Sequence, residues 1–296
     1  MIAITIFTPT YNRGYTLPRL YRSLIEQTVQ DFEWIIVDDG STDDTENVVE
    51  RFINEKVLKI EYYKVSNGGK HSAINVGVEK AKAPLFFIVD SDDWLAPNAI
   101  ERVLYHYSYV KHDESFAGVV GLRAFENGER IGGEISFDTL DCSYLELRYV
   151  RQIKGDMAEV FKTSVLRQYA FPAFQDEKFC PEALVWNRIG CTYKMRHFYE
   201  KIYFCEYLAD GLTAKITRLR MKSPEASLLY YSELYRMPVP FWQKIKAAIN
   251  YWRFSCHSKR SYLSKLSQIG WETLVLSPFG YLLYMKDRIH ESSTGN

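Results

Sequence analysis

No stretch of the 296-residue chain reaches the ~20 consecutive apolar residues that cross a bilayer, so no membrane span is expected. Met1 to Phe7 runs directly into an apolar strand pattern. It lacks the basic segment and small-residue cleavage site of a secretory leader. An excess of one charge is missing too: 37 Lys and Arg balance 37 Asp and Glu, so no overall positive field recommends nucleic acid as a partner. Cysteine is scarce and scattered. Cys142, Cys180, Cys191, Cys205 and Cys256 include no Cys-x-x-Cys pair and no zinc-like spacing, which makes free thiols in a reducing cytoplasm the expected state. No Gly-x-Gly-x-x-Gly occurs, which argues against a dinucleotide enzyme. Internal repeats and low-complexity segments are absent. With 47% hydrophobic and 25% charged residues, the composition is that of a folded globular chain.

The first 125 residues alternate short β-rich runs with helical patterns, the signature of β-α-β units and a largely parallel sheet. Strands are predicted at Ala3 to Thr8, Glu33 to Asp38, Lys59 to Val65, Leu85 to Asp90 and Gly118 to Phe125. Between them, Leu17, Leu20, Leu24 and Ile25 share one helical face, as do Ile100, Val103, Leu104 and Tyr107, with Pro97 suited to a first helical turn. Residues 126–215 read as mixed α and β, with strand or helix candidates at Glu159 to Leu166 and Ile202 to Leu208. The expected division is therefore an α/β domain over 1–220, with halves at 1–125 and 126–220, and a helical extension over 221–296.

Ligands of open parallel sheets collect at the carboxyl ends of the strands. The unusual polar residues lie there: Thr8-Pro9-Thr10-Tyr11-Asn12, Asp38-Asp39-Gly40-Ser41, Asn67-Gly68-Gly69-Lys70 and Asp90-Ser91-Asp92-Asp93. Three carboxylates at the end of one buried strand are costly without a positive occupant, and a divalent cation with oxygen preference is an obvious one. A solvated turn with an aspartate cap is the competing reading. Asp38 or Asp39 can accept from an N–H of a base, and Tyr11 can stack on that base; a simple turn and an ordinary loop tyrosine are the alternatives. Gly68 and Gly69 let a phosphate approach backbone N–H groups at a helix start, with Lys70 adding charge, or they form a plain glycine turn. The segment is not a P-loop, which would need glycine at Lys64 and a hydroxyl at His71.

Taken together, Thr8-Pro-Thr-Tyr-Asn12, Val37-Asp-Asp-Gly-Ser-Thr-Asp43, Asn67-Gly-Gly with Ala73-x-Asn75-x-Gly77, and Val89-Asp-Ser-Asp-Asp-Trp-Leu95 resemble family 2 glycosyltransferases of the GT-A fold. Order and spacing agree through about residue 125. The resemblance implies a Rossmann-like, mostly parallel central sheet with flanking helices. It implies a donor site built from Thr8, Pro9, Tyr11, Asp38, Asp39, Lys70, Asp90, Ser91, Asp92 and Asp93, binding a nucleotide-sugar such as a uridine diphosphate (UDP) sugar. In that frame Tyr11 packs on uracil, Asp39 hydrogen-bonds the base with Asp38 in support, and Asp93 lies beside the donor sugar. Asp90 and Asp92 form the D-x-D motif and hold Mn2+ or Mg2+. The family's base is the aspartate of a Glu-Asp doublet heading a helix, with an arginine six residues on; here Pro181-Glu182 through Arg188 fits the frame, with Glu182 in the aspartate's place. Glu182 also suits a first helical turn for electrostatic reasons alone. Asp156 resembles a polar residue bordering the acceptor pocket, Asp210-Gly211-Leu212-Thr213 resembles a donor-closing loop, and Trp94 and Trp186 offer sugar-stacking faces unless they pack in the core.

The expected reaction is inverting transfer from a nucleotide-sugar to a glycan or lipid-linked hydroxyl. A non-catalytic nucleotide-sugar-binding protein and a metal-dependent phosphate-transfer enzyme are the competing classes. Phe241 to Phe254, followed by Lys259-Arg260, mixes aromatics with cations at helical spacing. It suits peripheral membrane contact or packing on the rest of the chain. Leu274 to Met285 is apolar but too short to span.

Overall fold

The structure is a computed structural model that describes residues 2–206 and 216–294, with side chains through residue 289. The Asp210-Gly211-Leu212-Thr213 turn and the end of the Ile202 to Leu208 segment lie outside the described residues. The chain divides into two compact units, Met1–Phe171 with Arg188–Leu208, and Pro172–Asn187 with Ala209–Asn296.

The first unit opens with β1 (Ile4–Thr10), α1 (Leu17–Ile25), β2 (Phe32–Asp38), α2 (Thr45–Glu55), β3 (Ile60–Lys64), α3 (Lys70–Lys80), β4 (Leu85–Ile88), β5 (Trp94–Leu95) and α4 (Ala99–Ser108). It continues with β6 (Phe116–Phe125), β7 (Thr139–Cys142), a π-helical turn at Glu146–Val150, β8 (Met157–Lys162), α5 (Thr163–Leu166) and β9 (Lys194–Cys205). The sheet runs β3-β2-β1-β4-β8-β6-β9-β5, with β7 on β9. Its first four strands are all parallel. β8 runs antiparallel to both β4 and β6, and β9 returns parallel to β6.

Every residue of β1 and β2 is buried. Strands covered on both faces need such continuous runs, whereas strands with one wet face alternate. Leu17, Leu20, Tyr21 and Leu24 form the buried stripe of α1, and the Tyr21 ring stacks on Phe52 of α2 with centroids 4.0 Å apart. Glu33 is the one acid among the central residues of β2. It is wholly buried, and its carboxylate accepts from the Thr5 hydroxyl at 2.7 Å and the Lys82 N–H at 2.8 Å. Pro97 sits ahead of the first turn of α4, which starts at Ala99 after Asn98; the Pro97 carbonyl instead accepts from Thr28 N–H.

The second unit holds α7 (Ile216–Lys222), α8 (Pro224–Arg236), α9 (Phe241–Ser255), α10 (Tyr262–Ile269), a 3-10 turn (Trp271–Leu276) and α11 (Ser277–Thr294). Between the two runs of the first unit stands α6 (Glu182–Gly190), which straddles the division. The helical unit therefore takes in more than the expected extension after residue 220. The reason is local: the Glu177 carboxylate accepts from the N–H groups of Glu225 and Ala226, at 2.8 and 2.9 Å, and so caps the otherwise uncapped first turn of α8. Leu228, Tyr251, Trp252, Leu266 and Ile269 form the core of this unit. Of the two alternatives for Phe241 to Phe254, membrane contact and packing on the chain, the buried Trp252 and Phe254 follow the packing one; Phe241 and Trp242, at the start of the helix, are exposed large aromatics. Among the described residues no helix is long and apolar enough to cross a membrane. Cys142, Cys205 and Cys256 carry free thiols.

Helix α3 lies close on the sheet because residue 77 has no side chain. A Cβ added at Gly77 would stand 2.2 Å from the buried Phe7 ring. Gly77→Ala is therefore expected to destabilise the chain by about 1 to 3 kcal/mol, measured as a lowered urea midpoint; an unchanged midpoint would show that α3 is not packed this tightly.

Candidate functional site

The ends of β1, β2 and β3 are level, with Thr10 beside Asp38 and Asp38 beside Lys64. The loops that follow are stitched together. Asn12 takes a positive φ of 52° and donates its N–H to Ser41 Oγ at 2.8 Å, while its side-chain oxygen accepts from Thr42 N–H at 2.8 Å. Asp43 accepts from the N–H groups of Gly14 and Thr45. Burial pushes its carboxyl up, but these bonds and the Thr45 hydroxyl prevail and hold it below the usual range.

The two acids after β2 have distinct tasks. Asp38 is fully buried and accepts from Ser41 N–H at 2.7 Å and from the Tyr62 hydroxyl at 2.6 Å. Burial, then this bond, raises the Tyr62 hydroxyl above its ordinary value. Asp39 accepts from Gly68 N–H at 2.7 Å and Gly69 N–H at 2.8 Å. These are the N–H groups that the sequence offers to a phosphate or to a plain glycine turn, and here the buried Asp39 carboxylate takes them. Tyr11 is 49% exposed on the same rim.

The second acidic group follows β4. Asp90 Oδ1 meets the Lys70 ammonium at 2.5 Å, and Oδ2 lies 3.6 Å from the Arg123 guanidinium. Asp93 Oδ2 lies 3.7 Å from the same Arg123 group and accepts from the Tyr203 hydroxyl at 2.6 Å. That hydroxyl in turn accepts from Asp90 N–H at 2.9 Å, so one tyrosine ties both ends of the acidic turn. Arg123 lies over the Tyr203 ring, 4.0 Å from its centroid, and donates from Nε to the Met157 carbonyl at 2.9 Å. Asp92 stands at the edge, with Arg13 Nε 4.0 Å from its carboxylate and Arg19 donating to its main-chain carbonyl at 2.5 Å.

These contacts separate three neighbouring carboxyls. Burial opposes charge on Asp90, but Lys70 and then Arg123 outweigh it and hold the group below the usual range. For Asp92, burial and then the Asp90 charge push upward and prevail. Asp93 is raised to about 7, by burial first and by Asp90 second, against the pull of Arg123. Burial first and the Asp90 charge second thus disfavour the ionised forms of Asp92 and Asp93, while Asp90 keeps its charge.

Several residues assigned from sequence have partners within the protein. The Thr8 hydroxyl accepts from the Trp34 indole N–H at 2.9 Å inside the core, and Pro9 and Ser91 are buried as well. Trp94 is covered by the Arg19 guanidinium, 4.0 Å from its ring centroid, and by Phe204, which stacks 6.0 Å away. Trp186 is buried in the second unit, which removes the open face that sugar stacking requires. Asp156 is exposed, just after Gly155, whose carbonyl accepts from Arg148 at 2.5 Å. Glu182 is half-buried in the first turn of α6, with Arg188 in the last turn, and belongs to the second unit.

Arg123, Tyr203, Arg13 and Arg19 were absent from the expected site. Arg123 was signalled by its position as the one charge in Gly118 to Phe125; nothing local distinguished Tyr203. Among the described residues no three His, Cys, Asp or Glu side chains are grouped as a metal site. Asp90 pairs with Lys70 and Arg123, and Asp92 stands at the edge of the turn. A few carboxylates suffice for Mg2+ or Mn2+ where substrate phosphates complete the shell.

A sequence model described as "Glycosyl transferase family 2" matches residues 5–155. Over 204 residues the chain is 28% identical to "GalNAc(5)-diNAcBac-PP-undecaprenol beta-1,3-glucosyltransferase" of Campylobacter jejuni, covering 67% of this chain and 62% of that protein. The chain thus spans less than two thirds of this relative's length. Among solved structures, S. aureus TarS 1-349 in complex with UDP-GlcNAc superposes with a TM-score of 0.62 at 16% identity, over 93% of this chain and 83% of that one. The mannosyltransferase PcManGT from Pyrobaculum calidifontis, in complex with GDP-Man and Mn2+, gives 0.56 at 16% identity, over 96% and 87%. At these identities the likeness is one of fold.

The raised Asp93 carboxyl sets a pH dependence. A folded-state value near 7 lies above that of an unfolded aspartate, about 3.9, so the folded chain binds the extra proton and its stability falls as pH rises through that window. Asp93→Asn keeps an acceptor for Tyr203 and should flatten this fall between about pH 4.5 and about pH 7.5, measured by urea unfolding. An unaltered slope would show that Asp93 does not carry the proton.

Proposed function

The chain belongs to glycosyl transferase family 2, and from that membership we propose that it is an inverting transferase moving a sugar from a UDP-sugar to a hydroxyl of a glycan or lipid-linked acceptor. The observation that carries this reading is the acidic turn Asp90 to Asp93, placed on the strand-end rim beside Tyr11 and Asp39 and bordered by Lys70, Arg123 and Arg13. The undecaprenol in the C. jejuni relative's name supports the lipid-linked choice, and the UDP-GlcNAc bound by TarS supports the base.

In this reading Tyr11 lays its exposed ring on uracil, and Asp39, held rigid by two backbone donors, accepts from the base N–H. Asp92, with the donor diphosphate, holds Mn2+ or Mg2+. When bound, the ion neutralises charge on the departing diphosphate. Lys70 brings a further cation to the diphosphate side, and Arg123 with Tyr203 keeps the acidic turn in shape during turnover. Glu182 has the family's base position at the head of α6. Its carboxylate takes the proton as the acceptor oxygen bonds to the anomeric carbon, while the carbon–phosphate-oxygen bond breaks and its electron pair leaves with UDP. Attack opposite the leaving group inverts that carbon. We place this work in the cytoplasm, at the inner face of the cell membrane, with the helical extension touching the lipid.

Two measurements test the reading. UDP release from a donor should fall by about 10^2-fold or more in Glu182→Gln, with donor binding retained, and Asp92→Ala should lose both turnover and the metal dependence of binding. Retained turnover in Glu182→Gln would remove it as base. In thermal shift, UDP-sugars with Mn2+ should raise the transition; a response confined to guanosine or thymidine diphosphate sugars would overturn the base assignment. A chain that binds donors and never releases UDP is a binding protein instead.

A further inference from the structure

Helix α11 is bound to its own unit along one face. Gly280 approaches the Trp252 side chain and the Arg253 backbone so closely that an added Cβ would stand 2.5 Å from Trp252 Cβ. Tyr284 meets the His257 ring edge-on at 5.1 Å, and Asp287 accepts twice from Arg253 at 2.6 Å. Residues 280, 284 and 287 share one helical face. The opposite face is apolar: Phe279 and Leu282 are 56% and 65% exposed, Tyr281 and Met285 flank them, and Val275 of the preceding 3-10 turn is 75% exposed. Lys286 is exposed on this same face, four residues after Leu282, and Arg288 is exposed on the Tyr281 flank, seven residues after Tyr281. This places the lipid-facing pattern on the 274 to 285 segment rather than on α9, whose Trp252 and Phe254 are buried.

Charge selects the occupant. Residues 241–296 contain eight Lys and Arg against three Asp and Glu, a net charge of +5 that leaves –5 on the rest of a neutral chain. A two-fold contact between copies brings the same patch against itself and sets these cations against one another. A surface of anionic lipid complements both the charge and the apolar stripe, with rings and aliphatic chains at the acyl boundary and lysines among the headgroups.

We propose that the outward face of α11, centred on Phe279, Leu282 and Lys286, is the surface by which this chain lies on an anionic phospholipid bilayer. The proposal deepens the membrane placement above and is independent of the transfer chemistry.

Co-sedimentation of the full chain with vesicles tests it. Vesicles of phosphatidylcholine with phosphatidylglycerol should retain the chain, and phosphatidylcholine alone should retain much less. Phe279→Glu with Leu282→Glu should lower binding by at least about tenfold, with an unchanged thermal transition. Lys286→Glu with Arg288→Glu removes no apolar contact and should lower binding to the anionic vesicles as well. Equal binding to both vesicle types, or full binding by either double variant, overturns the proposal. So does a dimer in light scattering that the Phe279 and Leu282 changes dissociate while vesicle binding stays absent. UDP release measured in parallel separates the readings: release without vesicle binding sinks only this proposal, and vesicle binding without release sinks only the transferase.

Discussion

Five carboxylates, those of Asp38, Asp39, Asp90, Asp92 and Asp93, stand at the carboxyl ends of parallel strands whose bodies are buried. Taking charge out of water requires a partner for each. Two solutions coexist on this rim. Asp38 and Asp39 are satisfied by hydrogen bonds from Ser41, Tyr62, Gly68 and Gly69, which makes them rigid. Asp90 is satisfied by two cations, Lys70 and Arg123, whereas burial and then the Asp90 charge disfavour ionisation of Asp92 and Asp93. The rest of the donor side follows from this contrast: a rigid half suited to reading a base, and an electrostatically loaded half suited to gathering a metal and a diphosphate.

Much of this was legible in the sequence because parallel β-α-β architecture writes its signals locally. Continuous apolar runs gave the strands, and the polar residues after each run gave the rim. What stayed hidden came from pairing across long sequence distances. Arg123 and Tyr203 reach Asp90 and Asp93 only because β6 and β9 pair alongside β8, which itself pairs with β4. A sequence window sees none of that. The partner of Thr8 was hidden for a related reason: its motif is at the rim, but strand alternation turns its hydroxyl to Trp34. For Trp94 and Trp186 the sequence leaves a sugar-stacking face and core packing both open, because only the placed neighbours decide which faces are covered.

The helical unit shows the same limit. Composition announced aromatic and basic helices after residue 220, yet only packing decides which aromatics are covered. Glu177, from well before that boundary, caps α8 and draws Pro172–Asn187 into the unit. Glu182 lies in that segment. The donor rim and the candidate base are thus carried by different units, and the altered doublet, Pro181-Glu182, is where this chain departs most from the family pattern.

The central claim is that the rim holds a uridine nucleotide with its diphosphate at Asp92. A crystal structure of the chain with UDP and Mn2+ tests it most directly. The account predicts uracil between the Tyr11 ring and Asp39, the ion between the diphosphate and Asp92, and the Gly68 and Gly69 N–H groups still on Asp39. Nucleotide bound away from Tyr11 and Asp39, or an ion with no ligand from Asp92, would contradict it.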